Sequence, residues 1–281
     1  MSRVGLEATG QYHLDLALAL DDAGFALMVI NPKAAKHFAE AIQTRTKTDA
    51  VDAAVLAEFA PRMPFQSWQR PDVLVLTIRA CARRIAALNK LRTQTKNQLH
   101  AAQLTTLMPD FLQDTLHQLI AFLDDQIEHL RRQARDLIAT DEQLQHTCEL
   151  LISVTGIADA SAIQLLGELL VLPQDMQAKQ WVAIAGLDPR QLQSGSSVNK
   201  KTCLSKADNR YLRIALYMPA LSAVRLDPYV RAHYRHLIET RGLKKLQAVC
   251  AVMRKLLQAI HTMLKNRTTF DTLLHTDRNG C

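Results

Sequence analysis

The sequence has few of the residues that build disulfide frameworks, zinc sites or membrane spans. Its five cysteines are widely separated, odd in number and without a CxxC pair. This pattern argues against a disulfide scaffold or a zinc site and predicts reduced thiols in a cytoplasmic protein. No apolar run reaches the ~18 residues of a membrane span, and the N-terminus lacks the charged-then-apolar order of a signal peptide. We therefore expect no membrane partner.

Aromatic residues, glycine and proline are also scarce. Aromatics make up 5% of the chain, and glycine and proline occur nine times each. With 48% hydrophobic residues, this composition is typical of a helix-rich protein with a packed interior of Ala, Leu, Val and Ile. The 281 residues suffice for two domains and a connector. The formal charge of +7 and the pI near 9.3 favour a polyanionic partner.

The N-terminal part alternates between strand and helix patterns. A short strand is predicted at Arg3 to Glu7, and the apolar run FALMVI predicts a second strand buried on both faces. Asn31 and Pro32 are the preferred pairing of a helix cap and a first-turn residue. The predicted helices span 11–23, 32–42 and about 48–60, and Pro61 is expected to end the last one. This order is typical of an α/β domain with a parallel sheet.

A long basic helix is predicted next. No Asp or Glu occurs from Val73 through Pro109, and the apolar residues there follow a heptad-like spacing. A second long helix of mixed charge is predicted at about 111–140, so the pair forms a helical hairpin or coiled coil that connects two domains. Cations on the first helix either form a solvated face or face a nucleic acid or a second subunit. The candidates for nucleic-acid contact are Arg83, Arg84 and Lys90.

The C-terminal part begins with a predicted helix, a tight turn at Gly156 and a second helix. The stretch ISVTGIADASA is similar to a helix-hairpin-helix turn, whose backbone N–H groups can hold a DNA phosphate; a purely structural turn is the alternative. The stretch QSGSSVNKKTCLSKADN predicts a polar loop, and apolar helices with basic faces follow it. Between Pro189 and Leu226 the only acid is Asp208. Either the cations of this segment form a solvated surface or they bind phosphates, and the candidates are Lys200, Lys201, Lys206, Arg210 and Arg213.

Three carboxylates are candidates for a metal site. In KTDAVDA, Asp49 lies where a helix start favours negative charge, and Asp52 borders the face of the helix that should be buried. Spacing i, i+3 places both on one side of the helix. Glu7 ends the first predicted strand, and sites assemble at the carboxyl ends of strands in α/β sheets. Together the three could hold a hard divalent cation and support phosphodiester chemistry.

Several motifs resemble the DEDD transposases of bacterial insertion sequences, of the IS110 type, which are related to Piv-type DNA invertases. The resemblance covers nearly the whole chain and is carried by EATG-x-Y, VINP-x-x-x-x-x-FA, KTD-x-x-DA, GLDPR, QSG and SKADNRYLR. It implies an α/β N-terminal domain with a RuvC-like ribonuclease-H fold, here incomplete, at 1–70. It further implies a helical coiled-coil connector at 71–145, a mainly α transposase domain at 146–270 that carries a serine, and a tail at 271–281.

The resemblance assigns functional residues one by one. Glu7, Asp49 and Asp52 match three of the family's four acids, which bind Mg²⁺. The first aspartate of the family lies on a strand that would precede Met1, so we expect an N-terminally truncated chain with weakened metal binding. Ser194, immediately before Gly195, matches the family's proposed nucleophile; Ser196 and Ser197 are alternatives.

The sequence therefore predicts a DNA transposase or recombinase that cuts and rejoins DNA strands. The resemblance implies a DNA substrate, a structured guide RNA as a candidate partner, and a homo-oligomer, either a dimer or a tetramer. Two other functions stay open at this point. One is a catalytically dead, nucleic-acid-binding remnant of a transposase, and the other is a junction-resolving nuclease that uses the acids alone.

Overall fold

The computed structural model describes residues 3–8, 12–46, 48–105, 107–194, 198–206 and 209–270, with the backbone alone for 191–194 and 198–201. Its contacts divide the chain into two compact units, Met1–Pro71 and Asp72–Cys281. None of the helices in these ranges has the length and apolar character needed to cross a membrane. The four cysteines in these ranges, at 81, 148, 203 and 250, are free thiols, as the sequence predicts.

The first unit is a small α/β unit around a parallel pair of strands. Strand β1 pairs with β2 in a register that runs from Arg3 opposite Ala26 to Glu7 opposite Ile30. The predicted order of strand, helix, strand and two helices is confirmed. The elements are β1 (Arg3–Glu7), α1 (Tyr12–Asp22), β2 (Ala26–Ile30), α2 (Pro32–Ala41) and α3 (Asp49–Arg62).

The core of the first unit lies where β2, α2 and α3 meet. Met28 and Ile30 of β2 are buried with Ala35 and Phe59. The rings of Phe38 and Phe59 meet edge to face, with centroids 5.2 Å apart, an arrangement that aromatic pairs prefer. This cluster fixes both helices against the strand that was predicted to be buried.

Caps set where two helices of the first unit begin, and one predicted helix end is wrong. The Asn31 side chain accepts a hydrogen bond from the Lys33 backbone N–H at 2.9 Å, and Thr48 Oγ1 accepts one from Val51 at 3.3 Å. Helix α3 does not stop at Pro61 but continues to Arg62. The proline lies in the last turn, where little of the hydrogen-bond ladder remains to be lost, and the Met63 N–H still reaches the Phe59 carbonyl at 3.0 Å.

The second unit starts with two long helices that pack as an antiparallel hairpin, α4 (Val73–Gln103) and α5 (Asp110–Ala139). Ile85 and Leu88 of α4 are buried against Leu123 and Ile127 of α5. The predicted helical hairpin is thus confirmed, while a coiled-coil geometry stays a prediction. We refer to this pair as the arm.

The rest of the second unit is a helical domain with one antiparallel strand pair. Its large core is built mainly from α6, α7, α9 and α11. A polar loop was predicted across 193–209, and this is wrong in part, because strands β3 and β4 pair there. Polarity suggested a loop, but pairing lets polar strands satisfy their backbone groups without burying side chains. The elements are α6 (Glu142–Ile152), α7 (Asp159–Leu169), α8 (Ala178–Ile184), β3 (Pro189–Ser194), β4 (Val198–Leu204), α9 (Arg210–Leu226), α10 (Pro228–Glu239) and α11 (Lys245–Asn266).

Candidate functional site

A pocket in the first unit brings two of the predicted acids together. Glu7 ends β1, Asp52 lies in the first turn of α3, and both line one cavity of about 580 Å³. Both residues are half-buried. The pocket thus holds two carboxylates that are far apart in the sequence, at the carboxyl end of a strand, where α/β sheets assemble their sites.

Close packing of β1 on α3 creates this arrangement. A Cβ built on Gly5 would lie 3.2 Å from Ile30 Cδ1 and 3.5 Å from the Leu56 carbonyl oxygen. The strand backbone therefore runs directly against the helix two residues before Glu7. The ladder continues past Glu7, since the Ala8 N–H donates to the Ile30 carbonyl at 2.9 Å. Glu7 is thus carried on a paired strand end and not on a free loop.

Asp49 has a different environment from Asp52. It is the first residue of α3 and is exposed, and the described residues that line the pocket do not include it. Its position at a helix N-terminus is one where negative charge is favoured by ~0.3–1 kcal/mol. Within the described ranges, no group of three or more His, Cys, Asp or Glu side chains is arranged to hold a metal ion. The three-acid site therefore stays a prediction, and the structure brings together two of its members.

Cations line the same pocket, and sequence reasoning missed them. Lys33 and Lys36 lie on α2 and Arg45 precedes α3, and all three are exposed. Among the described residues, Lys36 forms one long ion pair, of 3.9 Å, with the exposed Glu40. The signal was present, because Lys33 and Lys36 share a helix face at i, i+3 spacing directly after a buried strand. The pocket thus combines carboxylates with exposed positive charge.

The predicted nucleophile lies on the strand pair of the second unit. Ser194 is the last residue of β3 and pairs with Val198 at the start of β4. Ser196 and Ser197, together with Gly195, lie outside the described residues, as do the side chains of Ser194, Lys200 and Lys201. The backbone therefore places Ser194 at one end of the strand pair, opposite the end where Pro189 pairs with Leu204.

Backbone hydrogen bonds hold the base of this strand pair against the end of α8. The Ser205 N–H donates to the Asp188 carbonyl at 3.0 Å, and the Lys206 N–H donates to Gly186 at 3.2 Å. The Asn209 N–H donates to the Ile184 carbonyl at 2.8 Å. Ser205 Oγ also donates to the Asp188 carboxylate. We call this region, residues 184–188 with 205, 206 and 209, the hairpin base.

The predicted cations near the hairpin base differ in what they contact. Lys206 is exposed and has a positive φ of 48°. Arg210 is exposed and lies over the Tyr211 ring, with 5.3 Å from Cζ to the centroid. The Arg213 guanidinium donates to the Ala185 carbonyl at 2.8 Å, so it already serves the fold. Lys206 and Arg210 are the better placed of these three for a phosphate.

The predicted cations on α4 also divide into two groups. Arg83 forms a bidentate ion pair with Glu168 of α7, at 2.6 Å and 3.0 Å. Arg84 and Lys90 are exposed, and neither forms an ion pair with another described residue. Sequence reasoning missed Glu168, although a single acid within the apolar run LLGELLVL signals a buried charge that needs a partner.

The turn at Gly156 packs against another helix. The sequence alone left open whether this turn is structural or binds a phosphate. Gly156 has a φ of +95°, and a Cβ there would lie 2.6 Å from the Pro219 carbonyl oxygen and 2.9 Å from the Ala223 nitrogen. The turn therefore lies directly on the backbone of α9. This contact supports the structural alternative, and phosphate binding at Gly156 stays a prediction.

Two family models match the chain, and both describe transposases. A transposase model of the DEDD, IS110 class matches residues 1–109. A second model, described as "Transposase IS116/IS110/IS902 family", matches residues 148–235. The first match contains Glu7, Asp49 and Asp52, and the second contains Ser194.

Curated proteins of related sequence include two gene-inverting proteins and one transposase, from three bacteria. The chain is 28% identical over 277 residues to a pilin gene-inverting protein of Moraxella bovis, and 29% identical over 281 residues to that of Moraxella lacunata. Each alignment covers 96% of this chain and 82% of the relative. A transposase for insertion sequence element IS1328 of Yersinia enterocolitica is 24% identical over 250 residues, which cover 80% of this chain and 72% of that protein.

Proposed function

We propose that this chain, which belongs to the IS110 family of transposases, cuts and rejoins DNA strands by means of the carboxylates Glu7, Asp49 and Asp52 and the hydroxyl of Ser194. The observation that supports this most is the pocket shared by Glu7 and Asp52. Glu7 at the end of a parallel strand and Asp52 on α3 could together hold a metal ion of the kind that supports phosphodiester chemistry. The relatives named for gene inversion and transposition support DNA as the substrate.

The pocket fits a divalent cation, for which we propose Mg²⁺. Proteins bind Mg²⁺ through one or two carboxylates together with waters and substrate phosphates, and Glu7 and Asp52 supply two carboxylates to one cavity. When bound, Mg²⁺ would polarise a phosphate and neutralise charge that develops on it. Asp49 would join through the exposed side of the first turn of α3. Lys33, Lys36 and Arg45 would hold the flanking phosphates by charge-assisted hydrogen bonds.

Ser194 would act as the nucleophile in strand exchange. Its Oγ attacks a backbone phosphorus and loses its proton, while the bond from phosphorus to one sugar oxygen breaks and that oxygen takes up a proton. The product is a phosphodiester between the serine and one DNA end. A hydroxyl of a second strand then attacks the same phosphorus and releases the serine, so that the number of phosphodiester bonds is conserved. Such a covalent intermediate divides one difficult step into two.

Cations of the second unit would bind the nucleic-acid backbone. Arg84 and Lys90 on the arm and Lys200, Lys201, Lys206 and Arg210 near the strand pair are the residues that we propose. The last helices add positive charge, because between residues 209 and 270 the only acids are Asp227 and Glu239, and Asp227 is buried as the cap of α10. A structured guide RNA would use the same backbone contacts, and assembly into a dimer or tetramer is part of the proposal.

Incubating the full chain with Mg²⁺ and a supercoiled plasmid that carries its own gene and flanking DNA tests this function. Asp52→Asn should abolish strand cleavage and keep DNA binding. Glu58→Gln is the matched control, because Glu58 is an exposed acid on the same helix that pairs with Arg62. Cleavage by Asp52→Asn at the unaltered rate would remove the acids from the proposed chemistry.

A further inference from the structure

Glu168 is a buried carboxylate that receives donors from two other parts of the second unit. It is 1% exposed within α7. Arg83 of α4 binds both of its oxygens, and Arg79 Nε lies 3.4 Å from Oε2. The side-chain amide of Asn209 donates to Oε2 at 2.6 Å. A buried charge persists only when it is paired and hydrogen-bonded. Both carboxylate oxygens of Glu168 accept hydrogen bonds.

Asn209 connects this carboxylate to the hairpin base. Its Oδ1 accepts hydrogen bonds from the backbone N–H groups of Tyr211 at 3.0 Å and Leu212 at 3.1 Å, which caps α9. Its backbone N–H donates to Ile184. The orientation of the amide follows from these partners, because only the NH₂ group can face a carboxylate while the oxygen faces two donors. One residue thus joins α7, the start of α9 and the end of α8.

Arg83 brings the arm into the same cluster. Its Cζ lies 4.6 Å from the centroid of Tyr211, the second residue of α9. Gly167 lets the two backbones approach here, since a Cβ at this position would lie 2.8 Å from the Arg79 Cα. Helix α4 therefore touches α7 at backbone distance, directly beside Glu168. The arm and the hairpin base meet at one carboxylate.

We propose that Glu168 is a positioning residue, which holds the hairpin base on the arm through Arg83 and Asn209 and so fixes where Ser194 lies. The link to Ser194 rests on the proposed function, whereas the link from the arm to the hairpin base does not. An apolar side chain at 168 would fill the same interior space. A carboxylate instead selects one arrangement of three helices, because each of its donors must be aligned with it.

Asn209→Ser separates positioning from capping. Serine is a strong helix cap, so α9 keeps its first-turn acceptor, while the donor to Glu168 is lost. Asp227→Ser is the matched control, because Asp227 caps α10 in the same manner, accepting from Tyr229 at 2.8 Å and Val230 at 3.1 Å, and lies on a different helix start from Asn209. Both variants replace one cap by another in the same unit.

Amide hydrogen exchange measures how readily the backbone at the hairpin base opens. The measurement does not depend on catalytic activity. In Asn209→Ser we expect exchange across residues 198–206 to accelerate about tenfold or more, the effect of a lost charge-assisted hydrogen bond, while α6 and α11 keep their rates. Asp227→Ser should leave 198–206 unchanged. Unchanged exchange in Asn209→Ser, or equal acceleration across the whole second unit, would overturn the proposal, since Glu168 would then stabilise the fold without positioning the hairpin base.

A reversed pair tests direct contact and guards against variants that fail to fold. Asn209→Asp places two carboxylates together and should speed exchange in 198–206 further. Combining it with Glu168→Gln restores an amide facing a carboxylate with the roles exchanged, so exchange should slow again relative to Asn209→Asp alone. If the effects of the two changes simply add, the residues do not act through contact and the proposal is wrong.

Covalent trapping on DNA distinguishes this proposal from the function on which it partly rests. If the wild-type chain forms a serine–DNA adduct, Asn209→Ser should form it more slowly at unchanged DNA affinity, and an unchanged rate would overturn the role of Glu168 in placing Ser194. If the wild-type chain forms no adduct at all, the proposed chemistry fails, and the exchange experiment alone decides whether Glu168 positions the hairpin base.

Discussion

Glu7 and Asp52 line the same pocket, although one ends a strand and the other lies in the first turn of a helix. The contact of β1 with α3 at Gly5 brings them there, so the pairing is a property of the fold of the first unit. Asp49, three residues before Asp52, stays exposed at the helix start. The two aspartates of KTDAVDA thus differ in environment.

Replacing Asp52 should affect metal-dependent behaviour more than replacing Asp49. We expect Asp52→Asn to weaken Mn²⁺ binding, measured by titration calorimetry on the full chain, by about tenfold or more, because loss of one of two carboxylates removes both charge and geometry. Asp49→Asn should have a smaller effect, together with a loss of about 0.3–1 kcal/mol from the helix start. Equal weakening by the two changes would show that Asp49 contributes to the cation site as much as Asp52 does, and would contradict the leading role of the pocket pair.

The two arginines at 83 and 84 should behave differently despite being neighbours. Arg83→Gln removes a partner from buried Glu168 and should cost about 2–3 kcal/mol in the free energy of unfolding, at the low end for a broken buried pair because Asn209 still donates. Arg84→Gln should leave stability within about 0.5 kcal/mol. Urea unfolding of the two variants measures both values, and similar losses would contradict the ion pair.

Arg84 and Lys90 should contribute to nucleic-acid binding through phosphates. Replacing both with Gln should weaken binding to all sequences and flatten its salt dependence, by roughly 0.7–0.9 in slope for each lost contact. Titrations with duplex DNA and with RNA at several salt concentrations provide the slopes. Lys179→Gln, which removes an exposed cation on α8, serves as the control. A slope unchanged by the double replacement would assign this face of α4 to solvent or to another subunit.

The packing of the Gly156 turn on α9 can be tested by comparing alanine substitutions at Gly156 and at Gly242. Both have positive φ, but a Cβ at Gly242 meets nothing within 4 Å. Gly242→Ala should therefore cost only the conformational penalty of about 1–2 kcal/mol. Gly156→Ala adds overlap with the α9 backbone and should cost about 2–5 kcal/mol. Thermal and urea unfolding can rank the two variants, and equal losses would mean that the turn does not press on α9.

The alkylation rates of the cysteines should differ according to how deeply each thiol is buried in the second unit. Burial, with smaller contributions from Asp159 and Glu149, raises the pKa of Cys148 to about 11, and burial also raises the pKa of Cys81. A raised pKa leaves little of the reactive thiolate at pH 8, whereas Cys203 is exposed on β4. In a Cys281→Ser background, alkylation followed by peptide mapping should find Cys203 modified first. Modification of Cys148 at a similar rate would contradict the packing of α6.

Local signals in the sequence predicted the elements well where one rule acted alone. The apolar run before Asn31, the cap at Thr48 and the turn at Gly156 each have one physical cause, and each appears in the structure. Pro61 was misjudged because its effect depends on how much of the helix follows it. The pairing of β3 with β4 was missed because polar side chains do not report backbone hydrogen bonds.

The candidate site was predictable only in part, since its contacts are distant in the chain. The three acids were identified from their places at predicted strand and helix ends. That Glu7 and Asp52 share a pocket while Asp49 is exposed depends on how β1 packs on α3 at Gly5. Arg83 was assigned to nucleic acid from its place in an acid-free helix. Its partner Glu168 lies 85 residues away, and no local pattern reveals which arginines of α4 face it.

The decisive measurement is peptide mapping of a covalent protein–DNA adduct formed by the full chain on DNA with Mg²⁺. The proposed chemistry predicts that Ser194 is the one cross-linked residue. The adduct should disappear in Ser194→Ala and persist in Ser196→Ala and Ser197→Ala. It also predicts that Asp52→Asn prevents the adduct while DNA binding is kept. Cleavage without any adduct, or an adduct at a residue other than Ser194, would contradict the assignment of the nucleophile.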